Sequence, residues 1–456
     1  MAKKLLALFL AIVMVASLVA CGAPAAPAEP APAPAAPAEP AAPAEPAPAP
    51  AAPAEPAGKT KITVLRPGDE AKVASFMEPA VEAFEAANPD IDVEIMYESW
   101  AGWIQTYPTY FEADTQPDVI FWWDNKMFDS SAHDSLIDLK PYLSDEMVKR
   151  IPQGVWDLVD SGMDGLYYVP NSVDSFVLYY NRDVFKAAGL DPEAPPATWD
   201  ELLAACKAIT EKTGLPGIGV PAITGSEVLE EFVGHFINQA TKANILDDDS
   251  MPLFNTADGL VAVEFIESLV PYFQTSPTEY GRGELRALVR DGKVGMIIDG
   301  PWAVPGFTSA FGEDLTKAAV GVAYMPLGPN GEKICWAGTN GWIATHEETA
   351  EASAKFIEYL MSPEVLEAHH IAYGSAPLYE SEFENPAFQQ EHWKVFYDTA
   401  NNWALYGMIG RNSATPAAYY TAIEEVWQQL VLGTMDAETA IAAAAAAVEG
   451  VTARNS

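Results

Sequence analysis

Cys21 ends Leu18-Val19-Ala20-Cys21, at the close of an apolar stretch, Leu5 to Ala20, that follows Lys3 and Lys4. The stretch is too short and too abruptly ended for a stable membrane span, so it reads as a secretory signal with a small-residue cleavage site. Cutting before Cys21 frees an amine for acylation and leaves a thiol able to carry a diacylglyceryl group. A lipid anchor at Cys21 is the expectation, with residues 1–20 removed.

A second chemistry rests on flat rings. A pyranose has apolar C–H faces and a rim of hydroxyls, so a site for one needs aromatic surfaces plus fixed donors and acceptors. Trp302 follows Gly300-Pro301 at an expected strand end, where a side chain is displayed. Trp122 and Trp123 are adjacent, so in an extended segment they point to opposite faces and one of them can meet a cleft. Arg66, Asp69, Asn125, Asn340 and Arg411 are candidate hydroxyl partners. Trp336 and Trp342 bracket Gly338-Thr339-Asn340-Gly341, expected to be a turn.

The elements that must position these residues alternate strand and helix. Lys61 to Arg66 reads as a strand, Val73 to Asn88 as a helix with Phe76, Ala80, Val81 and Phe84 on one face, and Ile91 to Tyr97 as an alternating strand. A helix over Trp100 to Ala113 and an apolar strand over Asp118 to Trp123 complete a βαβαβ order, which implies a parallel sheet covered on both faces. Thr198 with Glu201 forms a capping box, and Ser362-Pro363-Glu364 opens another helix. In such sheets ligands bind outside the carboxyl ends of the strands, which singles out Pro67 to Glu70 and Trp122 to Asn125.

Ahead of this fold, Gly22 to Gly58 is almost wholly Ala, Pro and Glu, with Pro-Ala-Glu-Pro recurring at Pro27, Pro37, Pro43 and Pro53. Such a segment has no apolar mass to offset chain entropy and reads as an extended spacer reaching on the order of 100 Å. The formal charge of −39 excludes polyanionic ligands and nucleic acid, whose binding needs basic surface. Beyond Cys21, Cys206 and Cys335 are expected as buried free thiols. Gly217-Ile218-Gly219 fits a dinucleotide fingerprint only loosely, since it follows a helix and Pro221 would interrupt the cradling helix. Asp247 to Ser250 reads as an acidic turn, and His369-His370 near Glu367 as a solvated pair diverging on a helix, so no metal and no cofactor is expected.

Four segments carry a family resemblance: Pro117 to Trp122; Val169-Pro170 with the following Tyr179 to Phe185; Pro196 to Leu202; and Gly295 to Ala303. In that order they resemble the family 1 extracellular solute-binding proteins of ABC importers, the group of maltose-binding and related sugar-binding lipoproteins. The resemblance implies a two-lobed periplasmic-binding-protein α/β fold of type II, with discontinuous lobes, a three-segment hinge and the ligand cleft between the lobes. It implies a first lobe from 59–174 and 327–378 and a second from 175–326 and 379–456. The crossings would lie near Asp174, Pro326 and Pro377. Carried over residue by residue, Trp122 matches the aromatic after the family's Pro-Asp-Ile-Ile-Phe motif, Trp302 matches the tryptophan of its Gly-Pro-Trp motif, Tyr420 stands at another stacking position, and Asp174 replaces a hydroxyl-binding carboxylate. The tyrosine at 420 and the shorter acid at 174 depart from the pattern and point to a sugar other than maltose. The implied protein is a monomeric, non-enzymatic receptor on the outer face of the bacterial cytoplasmic membrane, with ABC permease subunits as partners. Two other classes stay open: the same fold taking a polyamine or ferric ion, and a secreted glycan-active enzyme.

Overall fold

The computed structural model describes residues 58–123, 135–159, 165–225, 228–247, 249–315, 317–407 and 416–455. The expectations at residues 1–57, Asn125 and Arg411 lie outside them. Among the described residues the strands run β1 (Thr60–Pro67), β2 (Ile91–Glu98), β3 (Val119–Trp123), β4 (Val169–Ser175), β5 (Val177–Asn181), β6 (Ile218–Gly219), β7 (Met296–Asp299), β8 (Val320–Ala323), β9 (Ile334–Ala344) and β10 (Ala404–Tyr406). They form two sheets. One has the order β10-β9-β3-β1-β2 with β4 also on β9; the other has the order β6-β7-β5-β8.

The first sheet follows from its sequence pattern. β1 is parallel to both β2 and β3, as a βαβαβ order requires, and its Ile62, Val64 and Leu65 are buried. The helix Glu70–Ala87 begins where Asp69 accepts from the Lys72 amide at 3.0 Å, and it lays Val73, Phe76, Met77, Ala80 and Phe84 on that sheet. The helix Trp199–Thr213 opens at Thr198, whose hydroxyl accepts from the Glu201 amide at 3.3 Å, and ends at Gly214, which supplies the left-handed φ of 72°. The returning arm of the expected capping box goes one residue further back, since Glu201 Oε2 accepts from the Ala197 amide at 2.7 Å. Ser362 does not cap through its side chain. Its hydroxyl donates to the Tyr359 carbonyl at 2.7 Å, spent on the preceding turn.

The expected turn at Gly338 to Gly341 is instead the middle of β9, held on both sides: Asn340 lies opposite Trp123 of β3 and Ser172 of β4. Gly341 sits where a Cβ would come within 2.2 Å of the Val169 carbonyl oxygen, so the glycine serves close strand approach. Each sheet has its own apolar core. Val64, Phe84, Phe121, Trp342 and Phe356 belong to the first, and Leu178, Phe236, Ile266, Met296 and Trp427 to the second. The chain passes from the first sheet to the second through a single residue, Phe176, and returns between Ala323 and Ile334. Over Ala376 to Phe388 the chain changes core again: Leu378 and Tyr379 belong to the first core, while Ala376 and Phe388 pack with Val177 and Ile297 in a further cluster on the second sheet. Cys206 and Cys335 are both buried and unpaired. No helix among the described residues is long and apolar enough to cross a membrane.

The start of β9 reaches into the second core, where Trp336 packs flat against the helix Val228–Thr241. A Cβ on Gly234 would lie 1.9 Å from the Trp336 ring. Alanine is the better helix former by about 1 kcal/mol, but overpacking a filled core costs about 1–3 kcal/mol, so the clash wins. Gly234→Ala is expected to lower the urea midpoint of unfolding. An unchanged or higher midpoint would show that Trp336 is free to move.

Candidate functional site

The passage from β4 to β5 organises the candidate site. β4 runs antiparallel to β9 with a bulge at Asn171, after which Ser172, Val173, Asp174 and Ser175 pair with Asn340, Thr339, Gly338 and Ala337. Asp174 is buried, and its carboxylate accepts from Asn340 Nδ2 and from the Ser172 hydroxyl at 3.3 Å. Burial raises its pKa to about 6, against the opposing pull of those two bonds. Across β9 stands Trp123, half-buried, with its ring edge-on to Trp100 at 5.4 Å. Trp123, Asn340 and Asp174 thus occupy one strip across three strands.

On the second sheet β7 ends in Asp299-Gly300-Pro301-Trp302. The buried Asp299 accepts from Arg286 Nε at 2.5 Å and Nη2 at 3.1 Å, from the Gly300 amide at 2.8 Å, and from Trp302 Nε1 at 2.8 Å. Those four donors match the capacity of one carboxylate, so Asp299 holds its neighbours and keeps little for a ligand. Asp174, with one amide and one long hydroxyl bond, retains acceptor capacity. The Trp302 indole folds back over Gly300, where a Cβ would lie 2.4 Å from its ring, and it stays half-buried. Its ring meets Phe176 edge-on at 5.5 Å, and the Arg282 guanidinium sits 5.5 Å from its centroid and 5.0 Å from that of Phe176. Arg282 also pairs with Glu231.

Phe176 therefore connects the two sheets in the backbone and touches the Trp302 surroundings with its side chain. Its other neighbour is His235, wholly buried, with ring centroids 4.7 Å apart. Burial, with Arg282 nearby, lowers the His235 pKa to about 3, so the imidazole is neutral. Sequence reading did not single out Phe176, Arg282, Glu231 or His235. The available signal was Glu230-Glu231 with His235 four residues on, inside a helix otherwise almost all apolar.

The remaining expected residues lie elsewhere. The Trp122 indole is wholly in the core, edge-on to Trp103 at 5.6 Å, Tyr107 at 5.1 Å and Phe111 at 5.8 Å, and the two adjacent tryptophans do not diverge as expected, since the Trp123 ring stacks on that of Trp122 at 5.2 Å. Tyr420 is buried in the second core, on the helix Pro416–Val431. Arg66 is fully buried, its guanidinium 3.7 Å from the Phe121 centroid and 4.4 Å from that of Tyr373, with Nη2 3.0 Å from His369 Nε2. Burial lowers its pKa to about 10. Asp69 is exposed and spends its side chain on the helix cap. His369 and His370, expected in solvent, are both buried. His369 stacks on Phe76 at 4.4 Å, and His370 pairs with Glu382. Their helix is amphipathic with the imidazoles on the inner face, which a local glance at two adjacent polar residues misses.

Residues 67–367 match the family model described as bacterial extracellular solute-binding protein. Among curated relatives, the maltodextrin-binding protein MdxE of Bacillus subtilis is 24% identical over 381 residues, covering 81% of this chain and 83% of its own. The sn-glycerol-3-phosphate-binding periplasmic protein UgpB of Yersinia pestis is 28% identical over 240 residues, 49% of this chain and 52% of its own. The solved structure of a cyclic alpha-maltosyl-1,6-maltose binding protein from Arthrobacter globiformis superposes with a TM-score of 0.72 at 22% identity, over 87% of this chain and 100% of that one. That likeness extends the two-lobed α/β architecture over nearly all of the described fold. With two sheets, two cores and a family match spanning both, the chain belongs to the bacterial extracellular solute-binding proteins.

Proposed function

We propose that this protein is the lipid-anchored receptor of an ABC importer, which captures a mono- or oligosaccharide by closing its lobes and delivers it unchanged to a membrane permease. The observation that carries the reading is the half-buried Trp302 indole, fixed in orientation by Asp299 and set beside Phe176, the residue that links the lobes. A fixed indole offers a face to sugar C–H groups. The Asp174–Asn340 pair, on the other sheet, offers an acceptor and an amide to hydroxyls. Crossings at Phe176, between Ala323 and Ile334, and near Pro377 would let the lobes 59–174 with 327–378 and 175–326 with 379–456 hinge around the ligand. The name of one relative agrees with a solute of this class, since MdxE is a maltodextrin-binding protein, whereas UgpB is an sn-glycerol-3-phosphate-binding protein. Cys21 and the Ala-Pro-Glu spacer would tether the receptor outside the cytoplasmic membrane. Trp123, Asp174, Asn340 and Trp302 are the residues proposed to meet ligand.

A second reading, a polyamine, draws on the same Asp174 carboxylate, whose partners are an amide and a hydroxyl rather than a buried cation, and on the charge of −39. A thermal-shift screen of sugars, spermidine and putrescine separates the two. A glycan-active enzyme would return cleaved oligosaccharide, while the receptor returns it intact.

Two expected outcomes test the reading. Trp302→Ala removes about 60–100 Å² of apolar contact, roughly 1.5–2.5 kcal/mol, or about a ten- to sixty-fold loss of affinity for the sugar found in the screen. Trp302→Phe is expected to lose less, because a flat face remains. If both variants melt far below wild type yet bind normally, Trp302 is a core residue and the site lies elsewhere. Cys21→Ala is expected to shift the protein from the membrane fraction to the soluble one with ligand affinity intact; retention at the membrane would argue against the anchor.

A further inference from the structure

His370 lies on the inner face of the helix Pro363–Tyr373 and is wholly buried, as is Glu382. Its Nε2 sits 2.9 Å from the Asn171 carbonyl oxygen, and its Nδ1 sits 2.6 Å from Glu382 Oε2. A carbonyl only accepts, so Nε2 carries a proton. The other Glu382 oxygen, Oε1, accepts from the Leu378 amide at 3.0 Å and the Tyr379 amide at 2.8 Å, which fixes the carboxyl group in place. Nδ1 faces the remaining oxygen, Oε2, and because that carboxyl group and the Asn171 carbonyl favour the charged ring over the neutral one, we take His370 as an imidazolium between two acceptors.

Asn171 is the extra residue of the β4 bulge, where the ladder to β9 shifts register between Pro170 and Ser172. A bulged residue has no partner in the ladder, and here its carbonyl is satisfied by His370. Three residues later the same strand presents Asp174 to Asn340. We propose that His370 is a positioning residue for the binding strip: as an imidazolium it pins the Asn171 bulge and so holds Asp174 in register with Asn340. Because Glu382 follows the helix and Asn171 belongs to β4, the clamp ties the first passage between the lobes to the segment near the last one.

The titratable and charged groups facing His370 are Glu382 from the segment after its helix, Asp174 from β4, and His369 on its own helix, which burial and Arg66 of β1 behind it hold well below the ordinary histidine pKa. Burial pulls the His370 pKa down, but Glu382, the Asn171 carbonyl and Asp174 together raise it above the ordinary value. A histidine whose folded pKa is raised contributes its full stabilisation below the unfolded value of about 6.5 and loses it as pH rises through the folded one. The clamp therefore holds in full below about pH 6.5 and weakens as pH rises above it through the folded value.

This inference rests on the proposed role of Asp174 and Asn340 in binding, so its test uses protein without ligand. In wild type, amide exchange across Ser172–Ser175 and Ala337–Asn340, corrected for intrinsic rate, is expected to speed by up to tenfold per pH unit above about pH 6.5. The His370 ring resonances should titrate over the same window. Glu382→Gln keeps an oxygen for the Leu378 and Tyr379 amides and turns its NH₂ toward Nδ1, so a neutral His370 still bonds Asn171. That variant is expected to show a flat corrected profile and a lowered His370 midpoint. A wild-type His370 that titrates at or below about pH 6.5, or a Glu382→Gln profile as steep as wild type, would overturn the proposal whatever the ligand proves to be.

Discussion

The antiparallel pairing of β4 on β9, followed by a change of sheet within one residue, is the constraint on which the rest depends. β9 is long enough to serve both cores: Trp336 at its start packs against the second, and Trp342 toward its end belongs to the first. β4 uses β9 as a template as far as Ser175, and Val177 already pairs with Asp299 of β7. Phe176 thus has no ladder of its own. Its ring, held among His235, Trp302 and Arg282, and its carbonyl, 3.4 Å from the Cys335 thiol, anchor the passage instead. Any rotation of one sheet against the other must be absorbed there, in the passage from β8 to β9 and in the segment around Pro377 to Phe388.

Three buried polar groups near this passage are treated differently by the fold, and the difference supports the roles proposed for them. Asp299 is saturated by two arginine nitrogens, an amide and an indole, so its charge is spent on geometry. His235 is neutral and packs as an aromatic ring. Asp174 alone of the three combines a raised pKa, near 6, with unspent acceptor capacity. Leaving a buried carboxylate short of donors is costly, and proteins tolerate that cost mainly where a partner arrives later.

The elements were legible in the sequence because their signals are local. The period-two pattern of Ile91 to Tyr97 and the Thr198 cap act within a few residues, and the structure has them where expected, whereas the first helix begins at Glu70, three residues before the expected Val73, because Asp69, read as a hydroxyl partner, caps it. Trp302 was legible because Gly300-Pro301 marks a strand end. Other features depended on distant partners. Gly338 to Gly341 looks like a turn until β3 and β4 flank it, and two adjacent histidines look solvated until Glu382 and Arg66 fold over them. Arg282 and Glu231 meet only because separate helices converge on Asp299 and Phe176.

The central claim is that one ligand engages groups on both sides of the Phe176 passage, so binding must draw the two lobes together. Small-angle scattering of the full chain, with and without saturating amounts of the sugar that gives the largest thermal shift, measures this directly. The account predicts a smaller radius of gyration in the saturated protein. An unchanged radius with occupancy shown by a parallel titration would contradict it.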